Sequence, residues 1–167
     1  MTNKYHATPY DTSATGFYFT DYNDYFQKAE NHYNAYGQHV EEYEIQFIDG
    51  ENAELFKALS VNQANLDLWF NEFVQLDHEN AVKAIYLADD LAEHMEAIID
   101  KLEDICLYAG TPEQYAENYL EETGMIELLP EYLRYYFDYE SYARDMLYNG
   151  DIAEITVLGE NYVVWGV

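Results

Sequence analysis

Basic side chains are what this sequence lacks most. Seven Lys and Arg stand against 33 Asp and Glu, a formal net charge of −26, so nucleic acid and an anionic membrane surface would both repel the chain. Cysteine is nearly missing too: Cys106 alone excludes an internal disulfide framework and fits a reducing compartment. No run of 18 or more apolar residues exists, and residues 1–25 have no basic start followed by an apolar stretch. The expectation is a soluble, cytoplasmic protein with no membrane span. Catalytic signatures are absent as well. There is no phosphate-cradling glycine loop and no nucleophile elbow, and in His78-Glu79-Asn80-Ala81 the next residue is Val82, where a zinc motif needs a second histidine. The histidines His6, His32, His39, His78 and His94 are scattered, which is the pattern of surface or internally satisfied residues. Nor does any segment place oxygen ligands at alternating positions around a glycine, as a calcium loop requires. The adjacent pairs Asp89-Asp90 and Glu103-Asp104 diverge by about 100° on a helix and do not converge on one ion. The expectation is therefore no enzyme activity, no catalytic residue, no cofactor and no metal site.

What is present is a foldable chain. Apolar residues make up 49% of the 167 and aromatics 17%, with 19 tyrosines, far from the composition that keeps strongly charged chains disordered. The length suits one domain or two to three small modules. Carrying 26 uncompensated charges costs stability through self-repulsion, so the excess points to a basic partner. On B-DNA, with one charge per roughly 1.7 Å, the same charge occupies roughly 44 Å, or about 13 base pairs, and a dimer would imitate about twice that length.

Along the chain, residues 1–15 have few aliphatic side chains and are expected to be irregular or a weak edge strand. A short strand is predicted over Gly16–Thr20, followed by a helix capped by Asp21, running to about Tyr36 and closed by Gly37. Glu42–Ile48 alternates, with Tyr43, Ile45 and Phe47 on one side, and ends in an Asp49-Gly50 turn. From Ser60 the spacing becomes helical, first through Leu66, Trp69, Phe70, Phe73 and Leu76, then in a second stretch through Ile85, Ala88, Leu91, Ala92, Met95, Ile98, Ile99 and Leu102. The last third is mixed. Glu103–Tyr108 has strand character, and Thr111-Pro112-Glu113-Gln114 combines a cap, Pro at the first helical position and a capping-box Gln, with Gly124 as the stop. Pro130 opens a predicted helix carrying a tyrosine stripe, another helix covers Asp138–Leu147, and Ile152–Leu158 and Tyr162–Trp165 form a hairpin around Gly159-Glu160-Asn161. The fold class expected is α+β, helix-rich with short antiparallel sheets.

The acidic residues have a spatial order. Glu113, Glu117 and Glu121 recur every fourth position on one helical face, joined by Glu122. Glu93, Glu96, Asp100 and Glu103 or Asp104 form a similar line opposite the apolar stripe. Four helical residues rise about 6 Å, close to two phosphate steps of about 3.4 Å along a DNA strand. One such line alone is ordinarily a solvated helix face, but such a face usually interleaves lysines for helical ion pairs, and this one scarcely does. Asp67, Glu72, Asp77, Glu79, Asp89 and Asp90 extend the candidate acidic surface through the middle segment. Tyr132, Tyr135, Tyr136, Tyr139 and Tyr142 follow helical spacing and could bury their rings while leaving the hydroxyls wet. Core packing is the first reading of that stripe and a dimer interface the second.

Tyr119-Leu-Glu-Glu-Thr-Gly124, followed by Leu129-Pro130, Tyr136-Phe-Asp-Tyr139 and Tyr142-Ala-Arg-Asp145, resembles the C-terminal part of the ArdA antirestriction family, in which equivalent stretches occur in the same order. The match is specific over residues 103–150. Upstream, Tyr10-Asp11, Gly16-x-Tyr18-Phe19 and Glu41-Glu42-Tyr43-x-Ile45 are loosely similar to the family's opening pattern, with Asp11 and Tyr18 where the family has Asn and Trp. The resemblance implies an elongated chain of three modules, over residues 1–60 (α+β), 61–103 (helical) and 104–167 (α+β, with the dimer interface). It further implies a DNA-mimicking homodimer, carried by mobile elements and phages, that fills the DNA site of the methyltransferase core of a type I restriction-modification enzyme. Tyr135, Tyr136, Tyr139, Val163 and Trp165 are the expected interface residues. Two other readings of the acidity remain open: a DNA mimic aimed at a CRISPR effector or nucleoid protein, and a salt-adapted or metal-buffering protein with no DNA-related partner.

Overall fold

The computed structural model describes residues 2–166, in two compact units that meet in sequence between Ile99 and Asp100. The chain is α+β throughout, with a three-stranded antiparallel sheet in each unit.

The first unit is built around an aromatic core. Its strands β1 (Lys4–Pro9), β2 (Phe17–Phe19) and β3 (Tyr43–Asp49) lie in the order β2-β1-β3. β1 is thus the central strand, not the irregular segment or edge strand expected. Its inward side chains are Tyr5 and Ala7, both fully buried, so an aromatic ring and a methyl group supply the apolar face that aliphatic residues usually do. Tyr5 packs against Phe19, Phe47, Phe56, Trp69 and Phe70 at ring centroid distances of 5.2–6.5 Å. Its hydroxyl accepts hydrogen bonds from Trp69 Nε1 at 2.9 Å and Asn3 Nδ2 at 3.2 Å. Residues expected in separate modules, Tyr5 and Trp69, therefore share one core. The alternation on β3 is as expected, with Tyr43 and Ile45 buried and Glu44 and Gln46 exposed.

Helix α1 (Tyr22–Glu30) begins where expected, with Asp21 accepting from Asp24 N at 2.8 Å, but it ends at Asn31 rather than Tyr36. The cause is Asn34. Its Oδ1 accepts from the Tyr36 and Gln38 amides at 2.9 Å, and its Nδ2 donates to Asp11 Oδ2 at 2.7 Å, a side-chain competitor for backbone groups that a helix would otherwise use. Beyond α2 (Ala53–Ala58), α3 (Leu66–Leu68) passes into a π-helical turn over Trp69–Phe73, which leaves both Trp69 and Phe73 fully buried. The second periodic stretch is not one helix. It forms α4 (His78–Asp89) and α5 (Met95–Lys101), parted by Ala92 at φ 54°. Asp89 and Asp90 sit at the C-terminal end of α4, where carboxylates oppose the helix dipole. Restarting the helix places Glu96 in the first turn of α5, where the same charge is favourable.

The second unit carries the sheet β4-β6-β5, from β4 (Cys106–Ala109), β5 (Ala153–Val157) and β6 (Glu160–Trp165). The β5–β6 hairpin turns through Leu158 and Gly159 alone, at φ 55° and 80°. Two successive positive φ values are those of a type I′ turn, so the loop is tighter than the three residues expected. Helix α6 (Pro112–Glu122) has the full capping box of Thr111 and Gln114 and ends before Gly124 at φ 69°. It packs on α8 (Tyr139–Asn149), which Asp138 caps by accepting from Ser141 N at 2.9 Å.

The tyrosine stripe does not lie on one helix. After a 3₁₀ turn over Met125–Leu128, α7 spans only Glu131–Arg134. Arg134 folds back to donate to the carbonyls of Leu129 at 3.0 Å and Glu127 at 2.9 Å, which stabilises the turn and not a longer helix. Tyr132, Tyr135 and Tyr136 are consequently 75%, 90% and 77% exposed, and the core reading fails for these three.

Replacing Tyr5 with Phe tests the core directly. It removes the acceptor of the buried Trp69 indole N–H, a loss of about 1–3 kcal/mol, readable by urea unfolding. In a double-mutant cycle with Trp69→Phe the two losses should be clearly less than additive; simple additivity would show that the bond contributes little.

Candidate functional site

Burial of each acidic side chain is the first geometric fact about the acidic surface. None of the 33 is buried; only Asp11, Asp24 and Glu93 are half-buried, and the rest are exposed. The charge is also shared between the units, with eighteen acidic against four basic residues before Asp100 and fifteen against three from Asp100 onward. Each unit is strongly anionic by itself.

Local contacts engage at least five of the seven cations. Lys28 binds Asp24 at 2.9 Å and the Tyr18 carbonyl at 2.8 Å, Lys83 binds Glu79 at 2.7 Å, Lys4 lies 4.4 Å above the Tyr18 ring, and Arg134 is bound to backbone carbonyls. Arg144 meets Asp145 at 3.8 Å. Among the described residues, no carboxylate of α6 is ion-paired to a lysine or arginine.

The structure places the expected residues unequally. Glu113, Glu117 and Glu121 do lie on one exposed face of α6, because Tyr115, Ala116 and Leu120 turn the opposite face into the core. Glu122 follows off that row, where Oε1 accepts from Asn118 Nδ2 at 3.3 Å. The second expected line is broken. Glu93 sits half-buried in the link between α4 and α5, Glu96 and Asp100 belong to α5, and Glu103 and Asp104 lie in the turn that follows. Asp67 and Glu72 are exposed on α3 and the π-helical turn. Two others have structural tasks, Asp77 capping α4 through Asn80 N at 2.9 Å and Glu79 holding Lys83. Sequence reasoning overlooked Glu44 on the outward side of β3, and Glu41, Glu42, Asp49, Glu51 and Glu54 around it, all exposed. The strand's alternation already marked the Glu44 side as outward.

Of the expected interface residues, Tyr135 and Tyr136 are open to solvent. Tyr139 is half-buried, its hydroxyl pKa raised by desolvation and by Glu117 and Glu121 nearby. Val163 is wholly buried against Tyr115 and Ile152, so it presents nothing to a second chain. Trp165 is half-buried against Tyr115, their rings 4.7 Å apart.

Among the described residues, no group of three or more His, Cys, Asp or Glu could hold a metal ion, and no helix is long and apolar enough to cross a membrane. His6 and His32 are hydrogen-bonded to Thr8 and Tyr43. A family model described as antirestriction protein (ArdA) matches residues 8–159, and no curated protein matches the chain.

The carboxylates do not all act alike on stability. Asp90 is held above the usual carboxylate range by partial desolvation and by Asp89, so the folded state takes up a proton more readily there and gains stability as pH falls from neutral through that value. Asp11, bonded by Ser13 and Asn34, and Asp138, bonded by Ser141, lie below the usual range. Their stabilisation is present above the unfolded value near 4 and is lost as pH falls through their lowered folded values. Thermal unfolding at constant ionic strength should therefore show maximal stability in mild acid and decline on both sides. Asp90→Asn should stabilise the protein at pH 7 by about 0.3–1 kcal/mol and much less in mild acid. A steady loss of stability from pH 7 downward would contradict this account.

Proposed function

The chain belongs to the ArdA antirestriction family, and on that premise we propose that it mimics B-form DNA and competitively occupies the DNA site of a type I restriction-modification enzyme, in the methyltransferase core. The observation that carries this reading is that none of 33 carboxylates is buried, on a folded chain in which Lys4, Lys28, Lys83, Arg134 and Arg144 are engaged locally. Carboxylates take the place of phosphates as counterparts for the enzyme's Arg and Lys, and release of counterions helps to drive binding. The row Glu113, Glu117 and Glu121 is its most regular element, supported by Glu96, Asp100, Glu103 and Asp104.

The same reading includes a homodimer in the cytoplasm of a cell that carries both the inhibitor, on a mobile element, and its target. Met125, Leu128, Tyr132, Leu133, Tyr135 and Tyr136 form a run of exposed apolar side chains in the second unit, and a self-associating face would cover it. Large apolar groups left in water at this density usually mark an interaction surface.

A fluorescence titration of labelled duplex bound to a purified type I methyltransferase tests the mimicry. The protein should displace DNA at low salt and lose potency steeply as salt rises. Single Gln substitutions at Glu113, Glu117 or Glu121 should each weaken displacement by no more than about fivefold, since an exposed ion pair contributes roughly 0.2–1 kcal/mol. The triple variant should lose about tenfold or more and show a shallower salt dependence. No displacement at low salt would refute the proposal.

A further inference from the structure

On the other side of α6 from its acidic row lies a cleft of about 490 Å³, of a size typical of ligand sites. Its walls are Tyr108 from β4, Tyr115 and Tyr119 from α6 and Trp165 from β6, with Asn118 and Glu122 at the rim. Tyr115 is the hub. Its ring stands 4.7 Å from Trp165, 5.5 Å from Tyr108 and 6.0 Å from Tyr119, the last pair stacked at 24°. Tyr115 itself is buried, whereas Tyr108, Tyr119 and Trp165 are half-buried and keep ring surface in the cleft. Among the described residues, no lysine or arginine lines it.

Aromatic faces with a carboxylate at the edge, in a unit with fifteen acidic and three basic residues, complement one chemistry: a flat cation. The ring quadrupoles attract positive charge above their faces, tryptophan most strongly, and guanidinium can also stack on them because it is planar and weakly hydrated. An apolar side chain would bring no opposite charge to Glu122, whose carboxylate otherwise has, among the described residues, only Asn118 beside water, and an anion would be repelled. We propose that this cleft takes an arginine side chain of the protein's basic partner, stacked on Trp165 and Tyr119 and paired with Glu122. The inference rests on the DNA-mimic reading for the identity of the partner, and it adds to that reading a discrete anchor beside a diffuse electrostatic footprint. Tryptophan, tyrosine and arginine are the residue types enriched at the few positions that carry most of an interface's binding energy.

The two tryptophans make the test internal, because Trp69 is fully buried in the other unit with its indole N–H bonded to Tyr5. N-acetyl-arginine amide is titrated into the protein while both indole N–H resonances are followed by NMR. Trp165 should shift saturably and Trp69 should not. The uncharged isostere N-acetyl-citrulline amide should leave both in place, and Glu122→Gln and Tyr119→Ala should each weaken the arginine response severalfold, with the methyl resonances of Val163, fully buried in the same unit, reporting that the variants remain folded. An equal response to citrulline, or none to arginine, overturns the proposal. So does a Trp165 shift on raising protein concentration alone, which would show a second copy seated in the cleft. In the DNA-displacement titration Trp165→Ala should cost about tenfold without changing the salt slope, and an unchanged potency overturns the anchor role. If the wild-type protein displaces no DNA, the mimic reading fails and the partner's identity falls with it, while the arginine titration still decides what the cleft binds.

Discussion

Repulsion among 26 uncompensated negative charges is the constraint around which the rest of this structure is arranged. A carboxylate moved out of water must be paired or neutralised, and seven basic residues cannot pair with 33 acids. The only solution that keeps the charge is to leave every acid in contact with solvent, and none is buried. Cohesion must then come from side chains that bury much area per residue. The first unit answers with Tyr5, Phe19, Phe56, Trp69 and Phe73, and the second with Tyr115, Tyr162 and the valines of β6. Tyrosine suits this task because its hydroxyl can be satisfied inside the protein, as Tyr5 does through Trp69 and Tyr43 through the Val40 carbonyl at 3.0 Å. A phenol is already neutral near pH 7 and burial pushes the Tyr25 hydroxyl further up, to about 12, so buried tyrosines add nothing to the repulsion.

Helix ends show where the charge serves the fold and where it works against it. Asp21, Asp77 and Asp138 accept from the first-turn amides of α1, α4 and α8, so these acids earn their place thermodynamically. Asp89, Asp90, Glu121 and Glu122 sit at the opposite, negative ends of α4 and α6, where each opposes the dipole by about 0.3–1 kcal/mol. A sequence selected for stability alone would place lysines there. The unfavourable acids are therefore the ones whose presence asks for a reason outside the fold, and the cationic partner proposed above would supply one.

Much of this was legible in the sequence wherever a local rule decided the outcome. The capping box of α6, the Asp21 cap, the alternation of β3 and the C-terminal hairpin follow from neighbouring residues alone, and the structure carries all four. Errors arose where distant groups decided. β1 is central because Tyr5 meets rings far along the chain, α1 stops because Asn34 reaches Asp11, and the tyrosine-rich helix stops because Arg134 caps a turn. The acidic row on α6 was visible from its spacing, but the break in the line through Glu93 was not, since Ala92 takes its positive φ with no glycine or proline nearby to announce it. The aromatic cleft is the extreme case: Tyr108, Tyr119 and Trp165 come from three elements that no periodicity connects.

The shortness of the helices bears on what kind of imitation is physically possible. An i, i+4 row on an α-helix winds in the right-handed sense by about 40° for each 6 Å of rise. A B-DNA strand winds the same way but faster, by about 70° over two phosphate steps. A row of three carboxylates such as Glu113, Glu117 and Glu121 therefore falls out of angular register by about 60° from end to end, and a longer helix would diverge further. Long acidic helices are thus poor stand-ins for a phosphate strand, whereas short ones can be re-aimed after every two or three turns. No helix among the described residues exceeds the 12 residues of α4, and the breaks at Ala92 and Gly124 interrupt acidic stretches before the mismatch accumulates. The interruptions that make the chain hard to read from periodicity are, on this argument, what a protein surface needs in order to follow a faster-turning polymer.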